Sequence, residues 1–245
     1  GTGVAVPGLR GVPDLANGIA TINRLAPGRV FLGIGTGNTG MRTLGRPPMR
    51  LKPFADYIRL ARGLLRGEEV EYSEDGEEHH AIRFQRQGRG TYELGHHIPI
   101  HVGGFGPRAQ MLAGELGDGL ITGIPRGGTV TEALENVRRG AERVGRTLDD
   151  FYTSALVNLL VLDAGESIDS KRVIAQCGPS IMANVHYLVD AARDTGIEPP
   201  SYIEPIWDDY IKFHESRDVQ HRHQQLHQSH YSYLCLLYTS DAADD

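Results

Sequence analysis

The chain has 245 residues, 40% of them hydrophobic, and a formal net charge of −6, proportions that fit a globular α/β chain able to bury a substantial core. Its Lys and Arg are interspersed with Asp and Glu, which argues against a nucleic-acid or anionic-membrane partner, because neutralising phosphates takes grouped cations. No apolar run reaches the roughly 18 residues of a membrane span, and "GTGVAVPGLR" lacks the charged and apolar regions of a signal peptide, so a cytoplasmic location is expected.

Gly1 already begins a strand-like phrase, as if the fold were entered midway. Leu15, Ile19 and Ile22 then recur at helical spacing, and Pro27-Gly28 closes the helix they predict. Val30 to Ile34 is a short continuous apolar run, the pattern of a buried parallel strand. The "GTGNTG" that follows, Gly35 to Gly40, fits the spacing G-x-G-x-x-G. A dinucleotide site would need a helix directly after those glycines and an acidic residue about 20 positions on, at the end of the next strand. Gly45, Pro47 and Pro48 interrupt the segment, and the later position falls within another predicted helix, Tyr57 to Leu65, so that reading is rejected. No Walker A sequence occurs either. Phe54, Ile58, Ala61 and Leu65 form that helix's apolar stripe. The charged, helix-poor segment from Gly67 to His97 predicts a hairpin or excursion over the sheet's end, either a substrate-side insertion or a solvated loop.

A second buried strand, Ile98 to Val102, breaks off into Gly103-Gly104-Phe105-Gly106. Ala109, Leu112, Ala113 and Leu116 predict a helix, and the strand Gly119 to Thr122 ends in Gly123-Ile124-Pro125. Thr129-x-x-Glu132 is a capping box opening a helix that carries Leu134, Val137, Ala141 and Val144. Ala155 to Val161 is the last apolar run. Strands alternating with helices imply a parallel sheet, with neighbours expected in the order Val4, Ile34, Ile100, Ile121, Leu159.

Near the far end, His223, His227 and His230 of "HRHQQLHQSH" would share a helix face, with His221 beside them. Imidazoles so spaced can bind zinc. No acidic or cysteine ligand is in register and H-E-x-x-H is absent, so no metal site is assigned. The other reading is a polar helix face near a subunit contact, as in a homodimer. Cys177 and Cys235 are too few for a disulfide framework. From Cys235 onward, "CLLYTSDAADD" resembles the conceptual translation of a transposase-end sequencing adaptor, which would place the end of natural sequence near Leu234; the alternative is a frayed native tail. The expected organisation is one partial domain over residues 1–234, with an insertion at about 67–97 and a non-native tail at 235–245.

Gly35, Gly37, Gly103, Gly104, Gly106 and Gly123 all fall just past the carboxyl ends of predicted strands, the edge at which barrels and open sheets bind ligands. Glycine there lets backbone approach a flat or phosphorylated ligand, and free amides with helix N-termini can hold phosphate. Turn formation is the alternative reading of each. Thr36 and Asn38 could hydrogen-bond a ligand or cap turns, Arg108 and Arg126 could pair with phosphate or sit on the surface, and Met41 and Met49 could line a substrate mouth or fill gaps.

"RVFLGIGTG", "IPIHVGGFGPRAQMLAGELGDGLIT" and "PGLRGVPDLANGIATINRLAPGR" are similar to the luciferase-like monooxygenase superfamily, especially its deazaflavin-dependent branch, which includes methylenetetrahydromethanopterin reductase. The likeness runs from Gly1 to about Val161. It implies a (β/α)8 TIM barrel with its cofactor across the carboxyl ends of the strands, present here as a truncated fragment with about five of eight strands. It also implies an oxidoreductase that transfers a hydride between the deazaflavin coenzyme F-420 and a small organic substrate. An FMN-dependent monooxygenase and a non-redox barrel holding a phosphorylated ligand are the alternatives. Matched phrase to phrase, Gly3-Val4 falls where the family has a bulged strand, often with a non-prolyl cis peptide, that backs the flavin ring. Gly35 closes the family's G-x-G and Thr36 directly follows it, and Gly103 to Gly106 and Thr122 to Pro125 fall where amides receive the ribityl and phosphate portion. Many relatives place a Glu where Thr36 stands, and if "GTGVAVPG" is the third strand, the first-strand Asp or His is absent. No catalytic side chain is therefore assigned, and the fragment alone is expected to be inactive.

Overall fold

The computed structural model describes residues 1–74, 76–123, 129–157, 159–196 and 198–216. They divide between two compact units, Gly1–Gly37 with Pro48–Val157, and Asn38–Pro47 with the chain from Asn158 onward. In chain order the elements are α1 (Val12–Leu25), β1 (Leu32–Ile34), α2 (Asn38–Thr43), α3 (Leu51–Leu65), β2 (Val70–Tyr72), β3 (His80–Ile82), β4 (Ile100–Gly103), α4 (Pro107–Leu116), β5 (Gly119–Gly123), α5 (Val130–Arg143), β6 (Tyr152–Leu156), α6 (Lys171–Thr195) and α7 (Glu204–Glu215). The expected hairpin is present as the antiparallel pair β2 and β3.

The first unit is built on a parallel sheet in the order β1-β4-β5-β6. Ala5 adds a single parallel bridge to Ile34 at the β1 edge, donating to the Gly33 carbonyl at 2.8 Å and accepting from Gly35 at 3.0 Å. The Gly3–Val4 peptide beside it is cis. Neighbours therefore follow the sequence as expected, with one correction. Among the described residues the last strand is Tyr152–Leu156, rather than the expected run Ala155 to Val161 that holds Leu159. Among the described residues its ladder with β5 runs from Gly119↔Tyr152 to Gly123↔Leu156, and Leu159 beyond it is 86% exposed.

Alternation along the strands gives the sheet two unlike faces. Leu32, Ile34, Ile100, Val102 and Leu120 point one way, fully buried against helical residues such as Ile19, Phe54, Ile58, Leu112 and Ala113. On the other face the register sets Gly33 beside His101, Gly119 and Tyr152, and Gly103 beside Ile121 and Ser154. Helix formation follows the predicted stripes: Phe54, Ile58, Ala61 and Leu65 of α3 are all buried. The capping box at α5 is reciprocal, Glu132 N–H donating to Thr129 Oγ1 at 3.1 Å and Thr129 N–H to Glu132 Oε2 at 2.7 Å. Two glycines let α4 and α5 cross backbone to backbone: a Cβ on Gly114 would overlap the Val137 carbonyl, and one on Gly140 the Met111 carbonyl. At the amino end of the strands, Asp118 accepts from the Ile100 N–H at 2.9 Å and pairs with Arg62 of α3 at 2.9 Å, locking that end of the sheet to its helix.

In the second unit, the Ser170 hydroxyl caps α6 by accepting from Val173 N–H at 3.2 Å, and Gly196, in the left-handed conformation, ends it. A small core of Val185, Val189, Ile203 and Tyr210 joins α6 to α7, with Tyr210 hydroxyl against His186 Nδ1.

Candidate functional site at the carboxyl edge of the sheet

The carboxyl ends of β1, β4 and β5 bring most of the expected residues together. Gly35 follows β1, Gly103 ends β4 and Gly123 ends β5. Val4 lies across the first two: its Cγ2 would stand 2.8 Å from a Cβ on Gly35, and its Cγ1 3.3 Å from one on Gly103, whose nearest backbone neighbour is the Ile34 carbonyl at 3.3 Å. The two glycine loops are adjacent as well. Gly104 N–H donates to the Ile121 carbonyl at 2.9 Å, and the Phe105 ring reaches over β5, where a Cβ on Gly123 would meet its Cε1 at 2.9 Å. Phe105 is itself 67% exposed.

These distances separate glycines needed by the fold from those that face open space. A Cβ on Gly104 would meet Ala109 at 3.1 Å and the Gln110 nitrogen at 3.2 Å, so this glycine lets the loop turn tightly onto the first turn of α4. Close packing likewise accounts for Gly35 and Gly103. Gly3 and Gly106 have nothing within 4 Å of an added Cβ. Gly106 is the N-cap of α4 and carries no side chain to cap it, and Pro107 follows. The first amides of a helix have no carbonyl a turn earlier to bond, and the helix dipole there favours an anion. The edge thus fits a phosphate-bearing ligand in its donor set and in the space beside Gly3 and Gly106.

Other expected residues take plainer places. Thr36 is half-buried, its carbonyl accepting from Met49 N–H at 3.1 Å. Asn38, the first residue of α2, accepts from Arg42 Nε through its Oδ1 at 2.7 Å within the helix. Thr122 is buried, its hydroxyl donating locally to the Gly123 carbonyl at 3.4 Å. Arg108 lines a cleft of about 240 Å³ with Leu51 and Lys52 of α3. Met41 is buried in the second unit, and Met49 packs against the core of the first. Ile124, Pro125, Arg126, the histidines at 221, 223, 227 and 230, and the segment from Cys235 lie outside the described residues.

Two buried polar side chains escaped the sequence reading, Gln110 at this edge and His101 toward the amino end of the strands. Gln110 of α4 is 3% exposed and bonded to the Phe105 carbonyl. His101 of β4 is 7% exposed, stacked on Phe31 at 4.7 Å and on Tyr152 at 5.6 Å between ring centroids. Gly119 lies between His101 and Tyr152 in the register and leaves the rings room to meet. Burial lowers the His101 pKa, and the charge of Asp118 opposes that only in part. Each had a signal in the sequence: a histidine inside a continuous apolar strand, and a glutamine among the small residues Ala113, Gly114 and Gly117 on one helix face.

Comparison with known proteins returns one family over nearly the whole chain. The model described as luciferase-like monooxygenase matches residues 1–244. The chain is 33% identical over 165 residues to 5,10-methylenetetrahydromethanopterin reductase of Archaeoglobus fulgidus, covering 65% of this chain and 47% of that protein. It is 34% identical over 163 residues to an F420-dependent glucose-6-phosphate dehydrogenase of Mycolicibacterium fortuitum, covering 61% and 46%. The chain thus spans about half the length of the curated relatives it matches. Among solved structures, the coenzyme F420 dependent tetrahydromethanopterin reductase of Methanopyrus kandleri superposes with a TM-score of 0.54 at 21% identity, over 75% of this chain and 55% of that one. The fold is α/β of the TIM-barrel type, truncated relative to such neighbours.

Proposed function

The chain belongs to the luciferase-like monooxygenase family, and on that premise we propose that it is part of a deazaflavin-dependent oxidoreductase that transfers a hydride between coenzyme F-420 and a small organic substrate. The observation that carries this reading is the convergence, at the carboxyl edge of a parallel sheet, of Val4 with Gly35 and Gly103, next to an open-faced Gly106 at the start of α4. The named relatives dependent on F-420 support the choice of cofactor.

The bound deazaflavin would supply the redox chemistry. The chain's own residues bind and orient. Gly3-Val4 and Gly35-Thr36 give a tight, partly apolar wall, and an apolar wall beside the reacting ring excludes water. Gly103 to Gly106, with Thr122 to Pro125 from the next strand, would hold the ribityl and phosphate portion. The Gly106 N–H and the first amides of α4 would face the anionic oxygens there, reinforced by the helix dipole. The Thr36 hydroxyl, directly after Gly35, is assigned to hydrogen bonding rather than proton transfer.

Binding tests this reading without requiring turnover. Titrating the chain with coenzyme F-420 and with FMN, followed by fluorescence and absorbance, should give saturable F-420 binding tighter than FMN. Gly106→Val should weaken F-420 binding at least about tenfold with little change in melting temperature, because its Cβ enters open space. Tighter FMN binding would favour the FMN-dependent monooxygenase. Binding of a phosphorylated ligand but of neither cofactor would leave a non-redox barrel.

A further inference from the structure

Gln110 is the one polar side chain of α4 fully withdrawn from solvent. Its Nε2 donates to the Phe105 carbonyl at 3.2 Å, and its Oε1 accepts from Asn136 Nδ2 of α5 at 2.9 Å. The orientation of the amide is fixed, because a backbone carbonyl can only accept. Its main-chain N–H donates to the Gly106 carbonyl at 3.0 Å, while Gly104 N–H is bound by Ile121. The loop from Gly104 to Gly106 is therefore held at three points, two of them by Gln110. In a planar trans peptide the C=O of one residue and the N–H of the next point in opposite directions. With the Phe105 carbonyl drawn onto Gln110, the Gly106 N–H must face away from α4, and among the described residues it has no acceptor. A residue serving only to fill this space could be apolar, and a buried carboxamide is costly unless bonded.

We propose that Gln110, steadied by Asn136, is a positioning residue that aims the Gly106 N–H out of the carboxyl edge toward the anionic part of the cofactor. The aim at a cofactor rests on the functional reading above; the hold on the loop does not. Gln110→Met keeps the length and removes both hydrogen-bonding atoms. Gln110→Glu keeps the acceptor for Asn136 but sets a carboxylate oxygen against the Phe105 carbonyl until the acid is protonated and can donate. In the ligand-free chain, the backbone order parameter of Gly106 should fall from about 0.85 to below about 0.6 in Gln110→Met while that of Leu120 stays high. The F-420 dissociation constant should rise at least about tenfold. Gln110→Glu should match Gln110→Met at neutral pH. It should regain a rigid Gly106 and the affinity of the wild type at the same pH once acidification protonates its carboxyl, a rescue that a merely structural role would not produce. A rigid Gly106 in Gln110→Met overturns the proposal, as does a flexible Gly106 with unchanged F-420 affinity. If the unmodified chain binds no F-420, the functional reading falls, and relaxation of Gly106 in the ligand-free variants still decides whether Gln110 holds the loop.

Discussion

His101 is held between two aromatic rings with its pKa below the ordinary imidazole value of 6.5, chiefly through burial. The unfolded chain therefore takes up this proton first on acidification. The stability His101 contributes is complete above about pH 6.5 and is lost as pH falls from there toward its folded-state pKa. His101→Phe keeps the stacking surface and removes the titration. Denaturant midpoints across about pH 5 to 8 should show the variant gaining on the wild type as pH falls, whereas parallel curves would mean that His101 is not the group responsible. The sequence placed His101 within a strand but could not show what flanked it, because Gly119 and Tyr152 come alongside only through the register. The glycines are a similar case. Their position at the strand ends was legible from the apolar runs before them. Which ones serve packing was not, since the Cβ of Gly104 would meet a helix turn and that of Gly106 meets nothing.

Between elements, the tightest dependence is the crossing of α4 and α5. Because an added Cβ on Gly140 would occupy the place of the Met111 carbonyl oxygen, the helices would have to move apart to admit it. Gly140→Ala should therefore lower stability by about 1–3 kcal/mol, the usual range for overpacking, even though alanine is the better helix former. Chemical denaturation checks this, and an unchanged or stabilised variant would show that the crossing has slack. Helix starts and stripes were readable because the signals are local, as in the Thr129 to Glu132 box and the buried face of α3. The limits of β6 were not. Its start is set by pairing with β5, Tyr152 lying opposite Gly119, ahead of its own apolar run, which begins at Ala155. Gln110 was hidden for the same reason: its role depends on a loop carbonyl and on α5.

Over the whole first unit, the strand order has a temporal meaning. β4 meets β5, and β5 meets β6, each after a single helix and all within Ile100–Leu156, whereas β1 reaches β4 only after the long excursion through α3 and the β2–β3 hairpin. Closing a longer loop costs more chain entropy before any contact repays it, and local contacts form faster. The β4-α4-β5-α5-β6 segment is thus expected to form the folding nucleus, with β1 and α1 docking afterwards. Stopped-flow measurements on core truncations test this: Leu120→Ala should slow refolding, with a φ-value above about 0.5, and Ile34→Val should mainly speed unfolding, with a φ-value below about 0.3. The reverse pattern would mean that closure of the β1–β4 ladder sets the rate. In the expected case the carboxyl edges of β4 and β5 are assembled while the Val4 side of the pocket is still unformed.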